Sequence, residues 1–293
     1  MSNIIKKAVI PAAGLGTRLI PYTKETPKEM LPIFDIEDSE IVLKPLIQKI
    51  FEELYSIGIR TFCFIVGRGK RVIEDYFTPD YSFIELLKSR KKMRQINILK
   101  KFYSIIENSN IIFINQHKPL GFGHAVLLSE TVIGNDTFLV HAGDTMIISK
   151  NPNNKTILKM IEIYKKELPD IIFLAKEVRD PRMYGVIIGY EIEDGLFDVK
   201  KVIEKPKEPV SKLAIMPVYI FNKKIYDALK KVKPSERGEI ELTDGIEKVI
   251  EEGGDVLALK ISKDDLWIDV GTFETYRKAI EISIKIILER VNK

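Results

Sequence analysis

A segment of small residues follows the first apolar run of the chain and has a pattern suited to binding an anion. Residues 8–10 lead into Pro11-Ala12-Ala13-Gly14-Leu15-Gly16-Thr17-Arg18. Small side chains let backbone N–H groups approach an anion closely, which is typical of a phosphate-binding loop. The segment is neither a Walker loop, which needs Gly-Lys-Ser/Thr, nor a full dinucleotide turn, because the third glycine is absent. The spacing alone therefore indicates an anion-binding turn of modest specificity.

Cations follow this loop at once. Arg18 closes it, and Lys24 and Lys28 lie in the segment 21–32, where prolines flank Lys28. Such cations can neutralise a triphosphate. The alternative for Arg18 is a surface ion pair worth under ~1 kcal/mol, and the spacing fits both interpretations equally well.

The loop lies in a region where short apolar runs alternate with segments of helical periodicity. The apolar runs are residues 8–11, 61–66, 111–114, 137–141 and 171–175. The helical segments between them are residues 44–56, 69–77, 123–130 and 157–166. Runs this short and apolar predict strands buried on both faces, and the alternation predicts an α/β fold with a largely parallel sheet.

The second half of the chain has a different pattern. Strands are predicted at residues 184–190, 199–204 and 213–221, and helices at residues 223–231 and 241–252. This half is therefore predicted to be a smaller, β-rich unit on the substrate side. The final segment, residues 276–291, is predicted to form a helix that packs on the protein itself or on another subunit.

Composition excludes several classes of protein. The chain has 293 residues, 45% apolar and 30% charged, and its 46 basic and 42 acidic residues leave a net charge of +4. This excess is too small to predict nucleic-acid binding, and the basic run at residues 88–101 has the periodicity of one amphipathic helix. No apolar stretch reaches the roughly 18 residues of a membrane span, and no signal-peptide core is present. We expect a cytoplasmic protein in which the single cysteine, Cys63, is a small core residue.

The segment 8–32, which ends in Lys28-Glu29-Met30-Leu31-Pro32, resembles the signature of the sugar-1-phosphate nucleotidyltransferase family. It is most similar to the branch of UTP–glucose-1-phosphate uridylyltransferases. Further stretches resemble the same branch in the same order: Lys44-Pro45-Leu46-Ile47-Gln48, the run 67–77, Pro119-Leu120-Gly121-Phe122-Gly123-His124-Ala125, Glu204-Lys205-Pro206 and the run 238–244. Together they cover most of the chain and are highly specific.

The resemblance implies a Rossmann-like nucleotide-diphospho-sugar transferase fold. A central mixed, mostly parallel sheet would be flanked by helices and joined to a smaller β-rich sugar-side subdomain. Residues 1–293 would form a single domain. Its nucleotide-binding half would end at about residue 175 and its sugar-phosphate half at about residue 275, and residues 276–293 would form the C-terminal helix.

The resemblance also assigns residues to the nucleotide. Gly14 is implied to contact the base and ribose, and Arg18 and Lys28 to hold the triphosphate and the reacting α-phosphate. The remaining nucleotide-binding residues would be Ala13, Gly16, Thr17, Gln116 and Gly121. Gln116 and Gly121 would read the pyrimidine edge through one side-chain amide and one backbone group. The alternative for Gln116 is an ordinary surface amide.

Two aspartates match the carboxylates that bind Mg²⁺ in this family. Asp144 follows Ala142-Gly143, and Asp269 lies in Trp267-Ile268-Asp269-Val270-Gly271. Mg²⁺ favours one or two carboxylates together with phosphate oxygens, so two aspartates suffice. The alternative is that each caps a turn, as aspartates before turns usually do.

Three residues match the sugar-phosphate positions. Gly185 would approach the glucosyl group, Glu204 would accept hydrogen bonds from its hydroxyls, and Lys205 would bind its phosphate and take part in catalysis. Neighbouring residues in a strand face opposite ways, so both charged side chains can reach one ligand only if the chain bends, which Pro206 favours. A solvent-exposed pair is the alternative.

The chain departs from the family pattern in two places. Residues 36–43 separate Asp35 from Lys44-Pro45, and we interpret them as a loop insertion beyond the site. Gly143-Asp144-Thr145 lacks the second acidic or amide residue common in relatives. His124, after Gly123, is interpreted as a structural residue at a helix start and not as a catalytic base.

The resemblance implies transfer of a uridylyl group from UTP to glucose 1-phosphate, giving UDP-glucose and pyrophosphate, with Mg²⁺ as cofactor. The alternatives are thymidylyl transfer from dTTP, dual use of UTP and dTTP, and a non-catalytic regulatory subunit that binds a nucleotide sugar. We expect no nucleic-acid or membrane partner. A homodimer or homotetramer is implied by the resemblance alone.

Overall fold

Strands and helices alternate through the first half of the chain, as the sequence predicts. The structure, a computed structural model, describes residues 5–38, 40–148 and 156–291, with side chains up to residue 288. The strands are β1 (Lys7–Pro11), β2 (Pro32–Glu37), β3 (Glu40–Pro45), β4 (Thr61–Val66), β5 (Asn110–Asn115), β6 (Phe138–His141), β7 (Thr145–Ile148), β8 (Ile171–Glu177), β9 (Gly185–Glu193), β10 (Leu196–Glu204), β11 (Leu213–Phe221), β12 (Val256–Lys260) and β13 (Leu266–Asp269). The helices are α1 (Leu46–Ser56), α2 (Arg71–Tyr76), α3 (Tyr81–Ser89), α4 (Met93–Glu107), α5 (Phe122–Leu128), α6 (Glu130–Ile133), α7 (Thr156–Glu167), α8 (Lys224–Leu229), α9 (Leu242–Glu251) and α10 (Phe273–Val291).

One large sheet organises the molecule. Within the described residues it has nine strands in the order β5-β4-β1-β6-β11-β8-β12-β10-β9. The strands from β5 to β6 are mutually parallel, as are β8 and β12. β11 runs antiparallel to β6 and β8, and β10 runs antiparallel to β12 and β9. The mixed sheet flanked by helices confirms the predicted fold class. The sheet is not mostly parallel, however, because within the described ranges four of its neighbouring strand pairs are parallel and four are antiparallel.

The two faces of the sheet bury separate hydrophobic cores. Along β4, Phe62 and Phe64 pack into one core with α1 and α4, whereas Cys63 and Ile65 pack into the other with α5 and α8. Side chains alternate across a strand, so a run that is apolar at every position satisfies both faces. Cys63 is fully buried, and burial raises the pKa of its thiol to about 12. It is the small core residue that the sequence predicts.

The insertion at residues 36–43 forms secondary structure, so its interpretation as a loop is wrong. β2 and β3 form an antiparallel hairpin in which Ile36 pairs with Ile41 and Glu37 with Glu40. At its base the buried Lys44 ammonium donates to Glu37 and Glu52, each at 2.7 Å. These ion pairs hold the hairpin against α1.

The basic run at residues 88–101 is not one helix. α3 ends at Ser89 and α4 begins at Met93, and Lys91 between them has a left-handed backbone with φ of 57°. Residues 88–92 are all polar, so the apolar pattern gives no position at which to place the break. The outer face of α3 also exposes Tyr81, Phe83 and Leu86.

β7 and β13 were not predicted. They are four-residue strands that pair with each other outside the large sheet, with Asp269 opposite Thr145. Their pairing matters because each adjoins a candidate metal-binding aspartate.

Candidate active site

The glycine-rich loop leaves β1 at the carboxyl end of the parallel strands, where ligands bind in open α/β sheets. The Ala12 N–H donates to Ile65 O at 2.8 Å, which fixes the start of the loop against β4. Gly16 has a left-handed backbone with φ of 66°, and Thr23 Oγ1 donates to its carbonyl at 2.7 Å. A Cβ at Gly16 would also lie 3.0 Å from Thr23 Cγ2, so the turn requires glycine.

The loop forms one wall of a cavity of about 390 Å³. Nine of the residues predicted to bind nucleotide or metal line it: Ala13, Gly14, Gly16, Thr17, Arg18, Lys28, Gln116, Gly121 and Asp144. Residues from widely separated parts of the chain thus converge on one space. The cavity is also lined by four residues that were not predicted to bind a ligand: Pro119, Phe122, Glu239 and Gly271.

Lys28 and Asp144 form an ion pair at this cavity. Their side chains are 14% and 17% exposed, and the Lys28 ammonium donates to Asp144 Oδ2. Burial alone would lower the pKa of Lys28, but the carboxylates of Asp144, Glu29 and Asp269 more than offset it and raise the pKa above its ordinary value. Lys28 therefore stays charged at neutral pH.

Asp269 lies beside Asp144 because β13 pairs with β7. The Val270 N–H donates to Asp144 O at 2.8 Å, which continues the pairing past Asp269. Burial and the Asp144 charge raise the pKa of Asp269 to about 6, although Lys28 and Arg18 act in the opposite direction. Two carboxylates held together in this way favour a cation between them.

Arg18 reaches the same acidic pair from the loop. A Cβ at Gly271 would lie 2.6 Å from Arg18 Nη2 and 3.4 Å from Asp269 Oδ2. The guanidinium therefore occupies the space next to Gly271 that any larger residue would take. Gly271 could have been predicted as a site residue, because it ends the same family motif that identified Asp269.

A second, more deeply buried ion pair involves Glu29, the residue that follows Lys28. Lys70 Nζ lies 3.0 Å from Glu29 Oε2, and the two side chains are only 9% and 2% exposed. Burial raises the pKa of Glu29, although Lys70 and Lys28 both act to lower it. Neither residue was predicted to belong to the site, although both lie in stretches that resemble the family.

Gln116 follows β5 and lines the same cavity. It is only 6% exposed, and its backbone N–H donates to Val66 O at 2.7 Å. Its side-chain nitrogen donates to Gly121 O at 3.1 Å and lies 2.9 Å from His124 Nδ1. Gly121 has φ of 97°, and a Cβ there would lie 2.9 Å from Ile240 O. The close approach and the backbone conformation both require glycine.

The sugar-side candidates form a second cluster. Gly185 and Glu204 are partners in the β9–β10 pairing, and Glu204 Oε2 accepts a 2.7 Å hydrogen bond from Thr243 Oγ1. Lys205 has a left-handed backbone with φ of 40°, which supplies the predicted bend. Its ammonium lies 2.8 Å from Glu204 Oε1, so both side chains face the same region.

Tyr184 joins the two clusters. Its carbonyl accepts a 3.1 Å hydrogen bond from the Lys205 N–H. Its ring packs on Trp267, two residues before Asp269, with ring centroids 4.9 Å apart. Burial and the Asp269 charge raise the pKa of Tyr184, and Arg18 opposes them. The sugar-side cluster is therefore close to the acidic pair.

Comparison with known proteins identifies this arrangement. The family model for nucleotidyl transferases matches residues 7–285. The chain belongs to the nucleotidyl transferase family. It is therefore a nucleotidyltransferase enzyme, as the sequence predicts.

Similar proteins indicate which branch of the family the chain resembles most. UTP–glucose-1-phosphate uridylyltransferase YngB of Bacillus subtilis is 38% identical over 251 residues, which is 85% of this chain and 80% of that protein. A UTP–glucose-1-phosphate uridylyltransferase of Staphylococcus haemolyticus is 38% identical over 249 residues, 84% of this chain and 81% of that protein. The crystal structure of a UDP-glucose pyrophosphorylase complexed with UDP-glucose is 33% identical, with a TM-score of 0.81, and covers 96% of this chain and 99% of its own. The predicted uridylyltransferase branch is confirmed.

No helix in the described parts of the chain combines the length and apolar character needed to cross a bilayer.

Proposed function

We propose that this enzyme transfers the uridylyl group of UTP to glucose 1-phosphate and releases pyrophosphate. One observation carries the proposal. The exposed Arg18 and the largely buried Lys28 lie beside two carboxylates, Asp144 and Asp269, next to a glycine-rich loop. The names of the relatives point to the same reaction.

The loop is suited to holding the triphosphate. Backbone N–H groups from Ala13 to Thr17 can approach phosphate oxygens, because small side chains leave them accessible. A Cβ at Gly14 would lie 3.4 Å from Lys28 Cε, so the loop backbone lies against this lysine. Arg18 and Lys28 would then neutralise charge on the α-phosphate and on the leaving pyrophosphate.

The acidic pair fits a magnesium ion. Its carboxylate oxygens are the ligands that Mg²⁺ prefers, and because burial and the Asp144 charge raise the pKa of Asp269, a cation between the two groups would be favoured. No group of three or more His, Cys, Asp or Glu side chains that could hold a metal occurs in the described residues, so phosphate oxygens would complete the coordination. Asp144 and Asp269 would hold the ion, which would stabilise negative charge on those oxygens.

Glucose 1-phosphate would bind at the second cluster. Glu204 would accept hydrogen bonds from sugar hydroxyls, Lys205 would bind the phosphate, and the backbone at Gly185 would approach the ring. A Cβ at Gly185 would lie 2.9 Å from Thr243 Oγ1, so a larger residue would disturb Glu204 through its hydrogen-bond partner.

The reaction needs positioning more than proton transfer. An ionised phosphate oxygen of glucose 1-phosphate forms the new bond to the α-phosphorus. The bond from this phosphorus to the pyrophosphate oxygen breaks, and pyrophosphate leaves with the electron pair. The nucleophile is already charged at neutral pH, so no general base is required. The cations therefore supply most of the stabilisation.

Thymidylyl transfer remains the alternative within the enzyme class. Uracil and thymine have the same hydrogen-bonding edge and differ by one methyl, which a pocket distinguishes by roughly 1–3 kcal/mol. A non-catalytic role is disfavoured because Arg18, Lys28, Asp144 and Asp269 are all present. A homodimer or homotetramer and a cytoplasmic location stay predictions.

Pyrophosphate release tests the proposal. We expect Mg²⁺-dependent release with UTP and glucose 1-phosphate, and a preference for dTTP would overturn the choice of nucleotide. Lys28→Ala should lower kcat at least about 100-fold, because charge on the reacting phosphate loses its partner. Lys24→Ala is the matched control, since Lys24 lies in the same segment but is 78% exposed. Equal rates for the two variants, with folding intact, would remove Lys28 from the mechanism.

A further inference from the structure

The amide of Gln116 is held in one orientation. Its nitrogen faces two groups, the Gly121 carbonyl oxygen at 3.1 Å and His124 Nδ1 at 2.9 Å. A carbonyl oxygen can only accept a hydrogen bond, so the amide atom opposite Gly121 must be the donor nitrogen. The turned amide would place one acceptor oxygen against another.

This orientation also determines the state of His124. Gln116 Nε2 donates its second proton to Nδ1, so the imidazole is neutral and carries its proton on Nε2. Burial lowers the pKa of His124, and the neighbouring His117 acts in the same direction. The neutral ring is therefore the dominant form at neutral pH, and it serves as a hydrogen-bond acceptor.

The remaining amide atom, Gln116 Oε1, is available to accept a hydrogen bond from a ligand. Both protons on Nε2 are used, and Gln116 Oε1 accepts no hydrogen bond from any residue that the structure describes. Gln116 lines the cavity together with Gly14 and Gly121. This end of the cavity therefore offers an acceptor. Uracil and thymine have a donor, N3–H, where cytosine has an acceptor nitrogen.

We propose that His124 is a positioning residue that selects uracil or thymine over cytosine by holding Gln116 Oε1 toward the nucleotide cavity. The inference rests on the proposed function and on the contact between Gln116 and the pyrimidine edge that the family resemblance implies. Gly121 alone would satisfy one amide proton. His124 satisfies the other in its Nε2–H tautomer. The turned amide, which could donate to cytosine N3, loses the Gly121 contact outright and keeps the His124 contact only if the ring proton moves to Nδ1.

Three substitutions at His124 test this role. His124→Leu removes the acceptor, His124→Ala does so with less bulk, and His124→Gln restores an acceptor oxygen. Initial rates would be measured with UTP, dTTP and CTP at a fixed concentration of glucose 1-phosphate. Where turnover of CTP is too slow to measure, its Ki as an inhibitor of the reaction with UTP would be measured instead. Melting curves would establish which variants are folded.

We expect His124→Leu and His124→Ala to lower kcat/KM for UTP about tenfold, the equivalent of one hydrogen bond, mainly through KM. The value for dTTP should fall equally and that for CTP should not, so the UTP-to-CTP ratio falls while the UTP-to-dTTP ratio is unchanged. His124→Gln should restore the ratio. Equal losses for all three nucleotides, or an unchanged UTP-to-CTP ratio in both folded acceptor-free variants, would overturn the proposal.

Gln116→Leu separates this inference from the proposed function. If Gln116→Leu lowers the UTP-to-CTP ratio and the acceptor-free His124 variants do not, Gln116 reads the base without help from His124. If Gln116→Leu also leaves the ratio unchanged, the contact between Gln116 and the base is itself wrong. The positioning role of His124 fails in both cases.

Discussion

The like-charged pair Asp144 and Asp269 should destabilise the protein whenever no metal is bound. The ordinary carboxyl pKa of 3.8 is raised to about 6 at Asp269 by burial and by Asp144. Between these two values the folded protein binds more protons than the unfolded chain, so the free energy of unfolding falls as pH rises. The loss is complete above about pH 6 and amounts to about 3 kcal/mol.

Asp269→Asn removes this charge with little change of shape. When a chelator is present near pH 8, we expect the free energy of unfolding of the variant to exceed that of the parent protein by up to about 3 kcal/mol. Near pH 5 the difference should be about half as large. A gain of this size raises Tm by roughly 5 °C or more in a protein of this length. Catalytic activity should be lost.

Urea and thermal denaturation at both pH values, with chelator or with Mg²⁺ and UTP, provide the measurement. Mg²⁺ with UTP should stabilise the parent protein and have a smaller effect on the variant, since it binds the folded state through this pair. Asp264→Asn is the control, because Asp264 is exposed and lies just before β13. A variant less stable than the parent in chelator near pH 8, or a stability difference independent of pH, would refute the reasoning.

Two further substitutions test the surroundings of the site. Lys70→Met leaves Glu29 buried without its partner at 3.0 Å and should destabilise the protein by about 3–5 kcal/mol. Adding Glu29→Gln should recover part of this loss in urea denaturation, and a single variant within about 1 kcal/mol of the parent would contradict the assignment. Gly271→Ala places a Cβ 2.6 Å from Arg18 Nη2 and should lower kcat/KM for UTP with little change in Tm. The same substitution in an Arg18→Ala background should have no further effect on kcat/KM, and an additive loss would show that Gly271 acts independently of Arg18.

The sequence by itself determined the elements whose signals are local. β4 and β11 have the predicted bounds, because a short run that is apolar at every position indicates a strand buried on both faces. The phosphate-binding character of the loop at Gly14 and Gly16 was also predictable, since it depends on small residues in a short segment. The family resemblance then supplied the candidate residues, and their catalytic roles stay predictions.

Tertiary structure decided how these residues meet. Asp144 and Asp269 lie far apart in the chain and become neighbours only because β7 pairs with β13, and strand pairing across that separation is not a local property of either segment. The raised pKa of Asp269 and the ion pair of Lys28 depend on burial and on charges brought together by folding. The same holds for Gln116 and His124, because a hydrogen bond between side chains requires an orientation that residue spacing does not specify.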